Sequence, residues 1–444
     1  MMNINKTDLD SLNSVINMTI DRKDYEEKVS TVLSNYRKNA NIPGFRKGHV
    51  PMGMIKKQYE QAVIADEVNK LLRENLDNYI KDEKLELLGN PIPKPPKEAL
   101  NWKDPQLTFE FELGMAPKFD IKLSVLKKII RYEIEPEKKM IQEQIINIQK
   151  QYGKLVSQNK IEKGYEITAQ FRNKEVELEK MVNFTIEDVK SKKNISVLKE
   201  SKLSDVLSFS TKGFFRDDET LKRLLSLDDK KFKELLNSNI TIELKEINER
   251  ILADFNQELF DKLYEPGTVT SVKELEEKIK ESLKLQFEPQ ANQKLMNDIS
   301  EAIVAKTKFK LPSEFLTKWI QTSSKEPMTP EEAVQEYSKS ESGIRYQLIE
   351  GKIISENNLD INFEELKDYT ASMIQNQMMQ YGQKPEKEKL DEIISNVMSN
   401  KDETRRISEQ LMREKILNFY KENAPLNIKK VGFDAFIKQA YGKA

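Results

Sequence analysis

The chain has 444 residues, enough for roughly two to four domains, and its 73 basic and 74 acidic residues leave a net charge of −1. That balance excludes a generic binder of polyanions. Without cysteine there is no disulfide and no thiolate catalysis, and with His49 as the single histidine there is no histidine triad and no multi-histidine metal site. A third of the residues are charged, while glycine and proline are sparse at 14 and 16, which points to long amphipathic helices rather than one thick core. The opening MMNINKTDLDSLNSVINMTI has acids and no continuous apolar stretch, so no secretory signal is expected. No apolar run is long enough to span a bilayer, and the expectation is a soluble cytoplasmic protein without a membrane partner.

The first segment, 1–117, begins with the alternating run SVINMTI, which places Ile16, Met18 and Ile20 on one face of a strand. Asp21 is then expected to cap a helix through about Asn39, with Tyr25, Val29, Val32 and Tyr36 at helical spacing. The loop NIPGFRKGHVP follows at 41–51. Helical periodicity resumes after Pro51 through Val63, Val68, Leu71, Leu72, Leu76 and Ile80, until GNPIPKPP breaks it. LTFEFEL alternates again, with Leu107, Phe109, Phe111 and Leu113 facing in. Helices on one face of an antiparallel sheet make this an α+β domain. A connector over 118–163 reads as an extended segment ending at Pro136 and a helix to about Tyr152. Over 164–248 short β-prone runs appear, YEITAQF, VNFTI, LSFS and NITIELKEI, with a helical piece around 221–236. From 249 to 444 the pattern is helical, interrupted at YEPGTVTS, KLPSE, EPMTPEE, YGQKPEK and NAPLN. Ser271 with Glu274 and Thr329 with Glu332 read as capping boxes, the second with Pro330 at the first helical position. No fixed-period repeat is present.

The loop at 41–51 is unusual for its charge. Between Glu27 and Glu60 there is no acidic residue, while Lys28, Arg37, Lys38, Arg46, Lys47, Lys56 and Lys57 are basic. A cationic tip of this kind suits a phosphate backbone or an acidic protein patch. Gly44 and Gly48 permit backbone conformations closed to other residues, and Pro43 and Pro51 limit the entropy lost on docking. Phe45 supplies an apolar anchor and Arg46 a planar fork, a pairing typical of binding hot spots. The bland alternative is a solvated turn with Phe45 folded back on its own helices.

GFRKGHVP followed by MGMIKKQYEQAVIADEVNKLL resembles the ribosome-binding signature of bacterial trigger factor. Gly44, Phe45, Arg46, Lys47, Gly48 and Pro51 stand where the motif expects them. GNPIP before an LTFEFEL strand is similar as well, and the likeness extends over about 1–152. The resemblance implies that Gly44, Phe45, Arg46, Lys47 and Gly48 dock on a ribosomal protein beside the exit tunnel, with ribosomal RNA nearby. It also implies an FKBP-like prolyl isomerase domain at 164–248. Such a domain needs an apolar, aromatic-lined pocket to lower a barrier that is otherwise about 18–20 kcal/mol. EITAQF and SNITIELKEINER resemble its edges, but the glycine-rich PGFE-like segment is missing, and Gln170 stands where an acid is expected before Phe171. Phe171, Phe184, Phe209, Phe214 and Phe215 either line a pocket or form an ordinary core. The expectation is therefore weak or lost isomerase activity, and no catalytic residue is assigned.

A holder of nascent or unfolded polypeptides needs an adaptable apolar surface, and methionine suits one. In YTASMIQNQMMQYGQ, Met378, Met379 and Tyr381 are the candidate client contacts. The stripes Phe363, Leu366, Tyr369, Met373 and Ile407, Leu411, Met412, Ile416, Phe419, Tyr420 read as helix–helix core. No GxxxxGK[ST] pattern occurs, so ATP independence and no cofactor or metal are expected. A weak homodimer is left open, since an empty apolar surface can pair with its copy. The expected fold is an α+β multidomain chain: an N-terminal α+β ribosome-binding domain, an FKBP-like α+β middle domain and an elongated all-α C-terminal domain. An active isomerase with an accessory chaperone body is the main alternative. A periplasmic chaperone and a nucleic-acid binder fit the charge and the N-terminus less well.

Overall fold

The computed structural model describes the whole chain except Met1, Ile42, Gly44, residues 97–99, Lys103, Asn237, residues 381–385 and residues 443–444. The chain divides into two units, Met1–Ile130 with Leu295–Asn427 and Arg131–Lys294 with Ile428–Ala444.

In the first unit a four-stranded antiparallel sheet runs in the order Asn3–Asp8, Asn13–Asp21, Gln106–Gly114, Ile92–Pro93. Alternation puts Ile16, Met18 and Ile20 on the face covered by helices, and all three are fully buried. Register sets Ile16 opposite Phe111 and Met18 opposite Phe109. The helices Glu26–Asn39 and Met52–Asp82 close this core with Val29, Leu33, Ile55, Val63, Val68, Leu71, Leu72 and Leu76. Each large side chain withdrawn from water there is worth about 1.5–3 kcal/mol. Asp21 does not cap the first helix as expected. It caps a 3-10 turn, Arg22–Asp24, and the helix starts at Glu26. The cause is Tyr25: its backbone leaves helical values (φ −127°, ψ −14°) as its ring enters the core at 2% exposure.

The same unit holds the helices Ser313–Ser323, Pro330–Glu356, Phe363–Gln380, Lys387–Ser399 and Lys401–Asn423. Leu295, Ile299 and Ile303, at helical spacing in Val272–Lys306, pack with Ile349, Ile353, Ile416 and Tyr420. The Thr329–Glu332 capping box forms with Pro330 inside the start of the helix, as the sequence predicts. At the Ser271 start, the Ser271 hydroxyl accepts from the Glu274 N–H (3.3 Å), as expected, and the Glu274 carboxylate also reaches back to Thr270, from which it accepts both the backbone N–H and the hydroxyl bond. Phe363 leaves its expected stripe and is exposed. The helix Ser313–Ser323 lies against the N-terminal sheet, with Phe315 over Gly114 and Trp319 over Gly89, places where a side chain would collide.

In the second unit the strand Asn239–Ile251 organises a five-stranded sheet. It pairs with Lys154–Ser157, Glu166–Asn173 and Val206–Ser210, and Leu178–Phe184 completes the far side. Ile240, Ile242 and Leu244 alternate into the core, and Ile247 follows beyond a bulge between Leu244 and Glu246. The helical piece expected around 221–236 is two helices, Asp218–Leu225 and Asp229–Leu235. Ser226 in the left-handed conformation (φ 51°) ends the first, and Asp228 caps the second. A further helix, Lys192–Glu200, starts at Ser191. The helix Lys138–Gln151 buries Ile145 with Phe260, Val269, Leu275 and Ile279.

One strand stands in the region expected to be all-α. Asn427–Val431 pairs with Ile130–Ile134, so the connector acquires its β partner almost 300 residues later. No helix among the described residues is long and apolar enough to cross a membrane.

Candidate functional site

The loop between the first two helices is fastened at both ends. At its start, the Ala40 N–H donates to the Tyr36 carbonyl (2.7 Å), closing the helix. At its end, Val50 is fully buried in the domain core. Arg37 bridges the two, its Nε donating to the Val50 carbonyl at 2.9 Å. Tyr36 stacks on Tyr59 of the second helix, with centroids 5.3 Å apart and planes at 14°. Between these ties the chain turns over Arg46–Lys47–Gly48–His49, where the His49 N–H donates to the Arg46 carbonyl (2.9 Å). Gly48 takes φ 84° at the third position, a conformation that glycine adopts without strain.

What projects is cationic and apolar together. Phe45 is 39% exposed, and Arg46 and Lys47 are exposed beside it. Among the described residues, Lys38, Arg46, Lys47, Lys56 and Lys57 have no carboxylate partner, as the acid-free span predicts. Met54, in the first turn of the second helix, is also exposed at 42% and is an apolar candidate that periodicity missed. Its signal was the MGM that directly follows Pro51. Gly44 lies outside the described residues.

The five phenylalanines of the middle domain are core. Phe171, Phe184, Phe209, Phe214 and Phe215 are each at most 7% exposed, and Phe171 meets Phe184, Phe214 and Phe215 ring to ring. Beside Phe215 lies a cavity of about 750 Å³. Its rim sets Lys190, Lys212, Arg216 and Lys233 against Asp217, Asp218 and Glu219, so it favours neither sign of charge.

Three family models tile the chain: the bacterial trigger factor protein over 2–148, the FKBP-like domain of probable trigger factor over 155–252, and its C-terminal domain over 291–439. The chain belongs to the trigger factor family. Trigger factor of Prosthecochloris aestuarii is 22% identical over 93% of this chain and 94% of its own. That of Treponema denticola is 23% identical over 95% and 96%, and that of a Nitratiruptor species 25% identical over 76% and 77%. A solved structure of the trigger factor chaperone, described for promiscuous substrate recognition in folding and assembly, matches 95% of this chain and all of its own at a TM-score of 0.57 and 15% identity. The fold is thus the trigger factor fold, with its FKBP-like middle and helical C-terminal domains. Of the methionines considered for clients, Met378 is half-buried against Ile374, Leu390 and Ile394, while Met379 is 55% exposed. Tyr381 lies outside the described residues.

Proposed function

We propose that this trigger factor family member is an ATP-independent cytoplasmic chaperone that docks beside the ribosomal exit tunnel and shields emerging chains. The observation that carries the reading is Phe45 held at a surface tip among free cations. An aromatic beside an arginine is the pairing on which binding hot spots are built, where a partner buries both. The docking residues are Gly44, Phe45, Arg46, Lys47 and Gly48, and the partner is an exit-tunnel protein with nearby ribosomal RNA. Residues 1–117 carry docking, 118–163 connect, 164–248 form the divergent FKBP-like domain, and 249–444 serve clients, with Met379 the most accessible described contact. Client binding rests on apolar burial at about 25 cal/mol per Å², less the entropy of ordering, and is broad and reversible.

Prolyl isomerase activity is expected to be weak or lost. The missing glycine-rich segment and five phenylalanines packed on one another support this, and clear acceleration of prolyl isomerisation in a protease-coupled peptide assay would reverse it. Docking is tested by co-sedimentation with bacterial ribosomes, wild type beside a Phe45→Ala, Arg46→Ala, Lys47→Ala triple variant. Wild type should pellet and the variant should stay in the supernatant. Equal behaviour of the two removes the loop from the mechanism.

A further inference from the structure

The seven cations between Glu27 and Glu60 are not equivalent. Arg37 is committed to the backbone: its Nε is spent on the Val50 carbonyl, thirteen positions along the chain, at 2.9 Å. Val50 is itself fully buried, so the bond runs from the last turns of the first helix to a fixed point under the loop. The adjacent Tyr36 stacks on Tyr59, which joins the same helix end to the second helix. Together these contacts shut the base of the loop, and the turn at Arg46–His49 stands on that base. Arg46 and Lys47 are exposed, as Arg37 is, but among the described residues they have neither a side-chain hydrogen bond to the loop nor a carboxylate partner.

We infer that Arg37 is a positioning residue for the docking loop, holding the Phe45–Gly48 tip in its binding shape, and is not one of the charges that meets the partner. A guanidinium fits this role because its planar donors hold a carbonyl in a defined direction, which a flexible ammonium does less well. Preorganising the tip lowers the entropy that docking would otherwise cost. The inference rests on the ribosome reading for its consequence but not for the tie itself, and the two are separable by experiment.

Contact charges and positioning charges differ in how binding responds to salt. Each lysine or arginine that neutralises a nucleic-acid phosphate adds about 0.7–0.9 to the slope of log affinity against log salt. A positioning residue lowers affinity without changing that slope. The experiment compares wild type, Arg37→Met and Lys47→Ala in ribosome binding from low to high salt. It also follows amide hydrogen exchange at His49 in the free full-length chain. Arg37→Met should bind about tenfold more weakly with the wild-type slope, and its His49 amide should exchange faster by a similar factor. Lys47→Ala should lose slope and keep wild-type exchange. A slope loss in Arg37→Met equal to that of Lys47→Ala, or undiminished affinity, overturns the inference. Wild type that binds no ribosomes sinks the docking reading, and the tie is then judged on exchange alone, where unchanged rates at His49 overturn it. Arg37→Lys is the conservative control: it keeps the charge, and it should rescue exchange only in part.

Discussion

Gly114 shows how a single hydrogen atom in place of a side chain joins two segments 200 residues apart. A Cβ built there would sit 2.3 Å from the Phe315 ring, far inside contact distance, and the ring is itself 3% exposed with nowhere to withdraw. Gly114→Ala should therefore cost about 1–3 kcal/mol by overpacking. Shortening the ring with Phe315→Leu should recover part of that loss, which a double-mutant cycle in urea would show as coupling between the two sites. A different single-residue effect governs acid stability. The Arg250 guanidinium holds both oxygens of Glu166, with Nη2 to Oε2 at 2.8 Å, and keeps that carboxyl below its ordinary value of 4.5. A carboxylate depressed in the folded state adds stability above its unfolded value, and that stability drains away as pH falls through the folded one. Glu166→Gln should be less stable than wild type at neutral pH and should converge with it below about pH 4.5, as read by urea midpoints across pH.

At the scale of elements, the phenylalanine cluster is the clearest case of a pocket candidate that turned out to be filled. Phe214 is fully buried and touches Phe171, Phe184, Phe209 and Phe215. Phe214→Ala should destabilise the middle domain by about 3–5 kcal/mol, measured by the loss of protected amides in Glu166–Asn173 and Asn239–Ile251. Composition showed the aromatics but not whether a space stood between them, because that depends on strand pairings such as Phe171 with Ile242. The same physical divide separates what was legible elsewhere. Ile16, Met18 and Ile20 announced their strand because one face meets a core and the other does not. NINKTD gave no such signal, being polar on most positions, and is a strand because it pairs along Asn13–Asp21. Asn427–Val431 was equally silent: it is largely exposed, and its partner Ile130–Ile134 lies far away in the chain. Ser226 split a helix by adopting a left-handed backbone, a choice that helical periodicity does not encode. At the tip, the glycine, aromatic and cation pattern was readable, while the Arg37–Val50 tie was not, since it looked like one more cation.

At the scale of the whole molecule, the charges add to −1 while one loop and its flanks hold seven cations without an acid. On the proposed function, two kinds of recognition would coexist on one chain, and salt should separate them. Attraction between the tip and ribosomal phosphates would fall steeply as salt rises, because releasing condensed counterions into a saltier solution gains less entropy. Burial of apolar client side chains is not screened, and it strengthens when excluded salts raise the cost of exposed apolar surface. The exposed apolar side chains available for that role, among them Met379 at 55% and Val334 at 57%, sit apart in sequence from the cationic span. Raising salt from about 50 to 200 mM should therefore lower ribosome affinity by about seven- to twelvefold for two phosphate contacts, and by more for each further one. Suppression of aggregation of an unfolded, uncharged client over the same range should stay constant or improve. If both activities weaken together, client capture is electrostatic, and the cationic tip rather than an apolar surface is where clients bind.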